Sequence, residues 1–149
     1  MTDKDDHSKP ATRPETKVVH LGREPFEQHG FVNPPVYRGS TVLYKTLDAI
    51  NSRKQPYTYG RRATPTTRAL EDAITDLEGG AATILTSSGL GAVSTALLAF
   101  VTAGDHILIT DSAYQPGRAF ADRMLKRLGV ETTYYDPHLG ADIAKLFRP

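Results

Sequence analysis

From Thr64 onward, short β-branched and aliphatic runs alternate with stretches of helical periodicity, and this alternation limits the possible folds more than any other feature. Thr64 is placed to cap a helix, with Pro65 at the first helical position, where its missing N–H costs nothing. Leu70, Ala73, Ile74 and Leu77 repeat at helical spacing, and Gly79-Gly80 closes the element. Ala82-Thr83-Ile84-Leu85-Thr86 then reads as a short buried strand. A second helix carries Val93, Ala96, Leu97, Phe100 and Val101 on one face and is ended by Gly104. His106–Thr110 is a second strand, and Gly117–Leu128 a third helix that stops at Gly129. Val130–Tyr135 is a third strand, with a fourth helix starting near Ala141. This order predicts βαβ units with right-handed crossovers in a parallel sheet. Runs as apolar as Ile107-Leu108-Ile109 belong in a wide sheet covered on both faces. With three strands in hand before Arg148-Pro149, the chain reads as truncated.

The chain ahead of Thr64 has a different texture. Residues 1–15 are rich in Asp, Lys, Ser, Thr and Pro, with little to bury, and are expected to form a disordered tail. Residues 16–63 carry short apolar pieces (Val18-Val19, Phe31-Val32, Val42-Leu43-Tyr44) broken by Gly22, Gly30, Pro34-Pro35, Gly39 and Pro56. So long an irregular segment suits an arm that lies on another molecule. The expected organisation is therefore tail 1–15, arm 16–63, and an incomplete α/β domain over 64–149.

Composition removes several function classes. The 149 residues contain no cysteine, so a disulfide framework, a thiolate zinc site and an iron–sulfur cluster are excluded. The formal net charge of +1 gives no overall field toward nucleic acid. No apolar run is long enough to cross a bilayer, and the start MTDKDDHSKP lacks the apolar core of a secretory signal. A cytoplasmic protein without a membrane or nucleic-acid partner is expected. Arg123, Lys126 and Arg127 alternate with Met124, Leu125 and Leu128 and read as a solvated helix face.

Three segments carry chemistry. Thr86-Ser87-Ser88-Gly89-Leu90-Gly91 sits where a strand turns into a helix, and free N–H groups backed by a helix dipole bind a phosphate dianion. The segment lacks both the G-x-G-x-x-G of dinucleotide folds and the lysine of a P-loop; taken alone, a small-residue turn ending in an N-cap explains it as well. Tyr57-Thr58-Tyr59-Gly60-Arg61-Arg62 offers a guanidinium and a phenol two residues apart, which suits a phosphate but also a solvated surface loop. Asp111-Ser112-Ala113-Tyr114-Gln115-Pro116 follows the second strand, and ligands of open parallel sheets bind beyond the carboxyl ends of the strands. The Tyr114 ring could lie over a flat heteroaromatic group, or pack its loop against its own helix.

These segments occur together and in this order, and Tyr59 to Pro149 resembles the start of the large domain of the cystathionine lyase and synthase family of pyridoxal-phosphate enzymes. The fold implied is the aspartate-aminotransferase type (fold type I). The resemblance is carried by Tyr59-Gly60-Arg61-Arg62, Thr64-Pro65-Thr66, Leu77-Glu78-Gly79-Gly80, Ser88-Gly89, Gly104-Asp105-His106, Ala113-Tyr114, Asp136-Pro137 and Gly140-Ala141-Asp142-Ile143. Thr16-Lys17-Val18-Val19-His20 and Asn33-Pro34-Pro35-Val36-Tyr37 resemble the family's amino-terminal arm. Ala63 departs from the glycine common there.

The resemblance implies pyridoxal 5'-phosphate as cofactor. It implies that Ser88, Gly89 and Leu90 hold the phosphate, that Tyr59 and Arg61 reach it from a neighbouring subunit, and that Tyr114 stacks on the pyridine ring and influences proton transfer. Oligomers with shared active sites, usually tetramers built from dimers, follow from the same likeness. The double arginine after Tyr-Gly, with Asp136-Pro137 and Gly-Ala-Asp-Ile, is more like bacterial cystathionine β-lyases than γ-synthases. The implied reaction is α,β-elimination of cystathionine to homocysteine, pyruvate and ammonia in methionine biosynthesis. A γ-synthase, a γ-lyase, an O-acetylhomoserine sulfhydrylase and a non-catalytic phosphate-binding remnant are the alternatives. Lys4, Lys9, Lys17, Lys45, Lys54, Lys126 and Lys145 are the chain's lysines. None follows a strand in a Ser/Thr-rich setting, so the Schiff-base lysine is expected to be absent and the chain alone inactive.

Overall fold

A computed structural model of the chain describes residues 13–52 and 54–148; most of the expected disordered tail lies outside them. The chain divides into two compact units between Leu85 and Thr86.

In the first unit, helix α1 spans Pro14–His20, a 3-10 turn Pro25–Gln28, helix α2 Leu47–Ser52 and helix α3 Pro65–Glu78. The segment expected to be irregular thus holds two short helices and a turn, and α1 begins ahead of Thr16. Helix α3 is capped as its sequence dictates. The Thr64 hydroxyl accepts from the Thr67 N–H while the Thr67 hydroxyl accepts from the Thr64 N–H, Pro65 opens the first turn, and Gly79 closes the helix at φ 64°. Helix α1 packs on α3, helped by the Lys17–Asp76 ion pair at 3.0 Å. Gly22 is required at that crossing, because a Cβ there would lie 2.6 Å from the Ala69 carbonyl oxygen.

The strand expected at Ala82–Thr86 does not form. A strand is stabilised by ladder partners and by burial of its side chains, and this segment has neither: Ile84 is 84% exposed. The Thr83 hydroxyl instead bonds the Thr75 hydroxyl of α3 at 2.8 Å.

The second unit contains helix α4 (Gly89–Phe100), strand β1 (His106–Thr110), helix α5 (Gln115–Phe120) and strand β2 (Glu131–Tyr135). β1 and β2 pair in parallel, His106 opposite Glu131 through Thr110 opposite Tyr135, as the βαβ pattern requires. Helix α4 ends at Phe100 rather than near Gly104. The expected third helix starts at Gln115, and after Phe120 continues through a π turn at Ala121–Leu125. The expected fourth helix is two runs of 3-10 turn within Pro137–Leu146, interrupted by Gly140 at φ 54°, ψ −127°. The core is small. Ala121, Leu125 and Val130 are fully buried, with Leu97, Val101, Ile107, Ile109 and Phe120 packed around them. Arg123, Lys126 and Arg127 are exposed, as their spacing predicts.

Candidate functional site

The turn that opens α4 is built by Ser88. Its side chain accepts from the Gly91 N–H at 3.0 Å, and its carbonyl accepts from the Ala92 N–H at 3.0 Å, so α4 starts abruptly at Gly89. Thr86 fixes the approach, its hydroxyl donating to the Ser88 carbonyl at 2.9 Å. The N–H groups of Gly89 and Leu90 have no acceptor among the described residues, as expected for the first turn of a helix. A Cβ added at Gly89 would meet nothing within 4 Å, so the space in front of these two donors is open. Helix α4 has twelve residues and no charged side chain, so the positive end of its dipole has no acidic side chain in its own first turn. Two unbonded amides, a hydroxyl-lined turn and open space fit the phosphate of a coenzyme.

Tyr114 belongs to the same unit. It follows the carboxyl end of β1 and directly precedes α5, and α4 packs against α5 where Gly117 faces Val93: a Cβ on Gly117 would lie 3.4 Å from Val93 Cγ1. The Tyr114 ring is 68% exposed, free to lie over a flat ligand. Ser88, Gly89, Leu90 and Tyr114 all belong to the second unit, at the starts of α4 and α5, which pack on each other.

Tyr59 and Arg61 belong to the other unit. Tyr59 forms an antiparallel bridge with Thr41, the Gly60 N–H donates to the Ser40 carbonyl at 2.8 Å, and the Arg62 N–H donates back to the Tyr59 carbonyl at 2.9 Å. Gly60 is irreplaceable here, since its Cβ would sit 2.0 Å from the Gly39 carbonyl oxygen. The loop is therefore a fixed tight turn. Arg61 and Arg62 are exposed and neither forms an ion pair among the described residues. A cavity of about 320 Å³ lies beside this turn, lined by Tyr37, Arg38, Tyr57, Ala63 and Pro65 among others, and the Tyr59 and Arg61 side chains do not line it.

Among the described lysines, Lys17 and Lys145 are held in ion pairs with Asp76 and Asp142. Lys126 lies at the far end of the α5 rod from Tyr114. No group of His, Asp or Glu among the described residues could hold a metal ion, and no helix of theirs is long and apolar enough to cross a membrane.

One residue escaped the sequence reading. Arg118 donates its backbone N–H to the Tyr114 carbonyl at 3.2 Å and its guanidinium to the Asp111 carbonyl at 2.7 Å. Its spacing, one helical turn after Tyr114, accounts for the main-chain bond, but nothing in the sequence marks the reach of the guanidinium to Asp111.

The solved structures it resembles place this arrangement in the fold-type-I class of pyridoxal-phosphate enzymes. The crystal structure of metB from Corynebacterium glutamicum superimposes with a TM-score of 0.83 at 28% identity, over 93% of this chain and 35% of that one. Residues 15–149 match the sequence profile described as Cys/Met metabolism PLP-dependent enzyme, and the chain belongs to that family, whose coenzyme is pyridoxal phosphate. A Rhizobium johnstonii protein provisionally named a cystathionine beta-lyase is 57% identical over 89% of this chain and 34% of its own length. Cystathionine beta-lyase MetC of Escherichia coli is 38% identical over 91% and 35%. The chain therefore spans about a third of the length of the curated relatives it matches.

Proposed function

We propose that this chain forms the coenzyme-phosphate-binding, amino-terminal part of a carbon–sulfur lyase that cleaves cystathionine with water to homocysteine, pyruvate and ammonia. The reading rests most on the pair of unbonded N–H groups at Gly89 and Leu90, with the exposed ring of Tyr114 at the start of the helix that packs on theirs. It is supported by membership of a pyridoxal-phosphate family and by relatives named for cystathionine β-lyase. When bound, pyridoxal phosphate supplies the electron sink for charge developing at the substrate's α carbon.

The chain's own residues do the rest. The Gly89 and Leu90 amides and the Ser88 hydroxyl hold the phosphate dianion, because the helix dipole and free donors favour it. Tyr114 lies over the ring face, which orients it and excludes water from that side, and its phenol is placed to hold or move a proton near the substrate. The rigid Tyr59–Arg61 turn supplies a phenol and a guanidinium to the same phosphate from a neighbouring copy, so a homo-oligomer, cytoplasmic and with shared sites, belongs to this reading. A bidentate guanidinium suits a phosphate better than a point charge does.

The test is an assay of the protein encoded by the whole gene with cystathionine, scoring both oxo acids. Pyruvate is expected. Predominant 2-oxobutyrate would reassign the enzyme to γ-cleavage, and neither product would end the lyase reading. The 149 residues alone are expected not to turn over, and borohydride is expected to trap no coenzyme on any one of their lysines.

A further inference from the structure

Tyr114 makes no side-chain hydrogen bond among the described residues and is 68% exposed, so where its ring can reach depends on how its backbone is held. The backbone between β1 and α5 is held at its start by the Arg118 side chain and at its end by main-chain bonds of the first turn of α5. The Arg118 main-chain N–H bonds the Tyr114 carbonyl, and the Arg118 guanidinium bonds the Asp111 carbonyl, so one residue spans the whole turn. Asp111 is tied in addition by its N–H to the Tyr135 carbonyl at 2.8 Å, and the Ala113 N–H donates to the Thr110 carbonyl at 3.1 Å.

The guanidinium is itself fixed from behind. It lies over the Tyr134 ring at 4.3 Å from the centroid, an attractive cation–π geometry. The Tyr134 phenol donates to Asp122 Oδ1 at 2.8 Å, and Asp122 is carried by the π turn. A π turn inserts an extra residue in a helix and often marks a functional site. Asp122, Tyr134 and Arg118 thus form a strut from the helix and β2 to the turn that carries Tyr114.

We propose that Arg118 is a positioning residue: braced by Tyr134 and Asp122, it holds the Asp111–Tyr114 turn so that Tyr114 faces a flat, phosphate-bearing heteroaromatic ligand. This rests on the stacking role given to Tyr114 under the proposed function. A strut of this kind contributes to ring binding and not to phosphate binding, because the Gly89 and Leu90 donors do not depend on it.

That separation gives the experiment. The protein encoded by the whole gene, freed of its coenzyme, is compared with Arg118→Gln and Arg118→Lys for binding of two probes, inorganic phosphate and 4'-deoxypyridoxine 5'-phosphate, which has the ring but no aldehyde and needs no lysine. In Arg118→Gln, phosphate affinity is expected to stay within about twofold, while the ring-bearing probe weakens roughly tenfold, the size of one lost aromatic stack. The Ala113 amide should exchange faster while the α4 amides are unchanged, and Arg118→Lys should recover part of both effects. If Arg118→Gln fails to fold, Tyr134→Phe, which keeps the ring beneath the guanidinium, should show the same selective loss at smaller size. Equal weakening of both probes, or no weakening of the ring-bearing one, overturns the positioning role. Binding of neither probe by the unaltered protein removes the phosphate site, and the proposed function with it.

Discussion

At the scale of single residues, the clearest electrostatic consequence concerns Tyr134. Burial, and then donation of its hydrogen bond to the Asp122 carboxylate, push its phenol above the ordinary 10.0, while the Arg118 guanidinium partly opposes the shift. Both leading causes favour the neutral phenol. Because the folded value exceeds the unfolded one, the interaction stabilises the fold fully below pH 10.0 and is lost as pH rises through the folded value. Denaturant unfolding of the native protein is therefore expected to weaken more steeply above about pH 10 than that of Tyr134→Phe. In absorbance titration at 295 nm, one late-titrating phenol should vanish from the variant. Identical alkaline profiles would rule out the Tyr134–Asp122 bond. Asp136 moves the other way, held below the usual carboxylate range by the backbone N–H of His138 and then by its ring.

Elements form where local chemistry is complete. Helix α3 has an N-cap, a reciprocal partner at Thr67, a proline at its first position and a left-handed glycine at its end, and its ends match those expected from sequence. Thr64→Ala removes the half of that cap made by the Thr64 hydroxyl, leaving its backbone N–H bonded to Thr67, and is expected to lower stability by about 1 kcal/mol. A shift in urea midpoint at constant slope measures this, and an unchanged midpoint would show the cap to be idle. Strand pairing, in contrast, is decided at a distance. His106–Thr110 and Glu131–Tyr135 find each other in parallel, whereas Ala82–Thr86, equally β-branched in part, has no ladder partner and stays out of the sheet. Helix α5 shows the same limit: its apolar spacing was readable, but the π turn at Ala121–Leu125 was not, because an extra residue in a helical turn leaves no mark in residue type.

For the whole molecule, the balance between buried and exposed apolar surface is the deciding quantity. Only Ala121, Leu125 and Val130 are fully buried hydrophobics among the described residues, while Phe100 is 87% exposed and Leu98 nearly half exposed. Helix α4 has no charged residue on any face, a composition suited to a covered helix. The two parallel strands each have one unpaired edge among the described residues, which parallel sheets normally cover. The 149 residues by themselves are accordingly expected to bind the dye ANS and to unfold without a sharp denaturant midpoint. A single sharp transition with no dye binding would show that these surfaces are stable uncovered.

The sequence by itself determined what depends on neighbours along the chain. The caps of α3, the serine turn that opens α4, the βαβ order and the place of Tyr114 after β1 all follow from short-range hydrogen bonding and periodicity. Tertiary structure alone decided which extended segment joined the sheet. It alone fixed Gly60 against the Gly39 carbonyl, and made Arg118 the clamp of the Tyr114 turn. Those outcomes depend on contacts between residues distant in sequence, such as Tyr134 beneath Arg118, and no periodicity or local propensity encodes them.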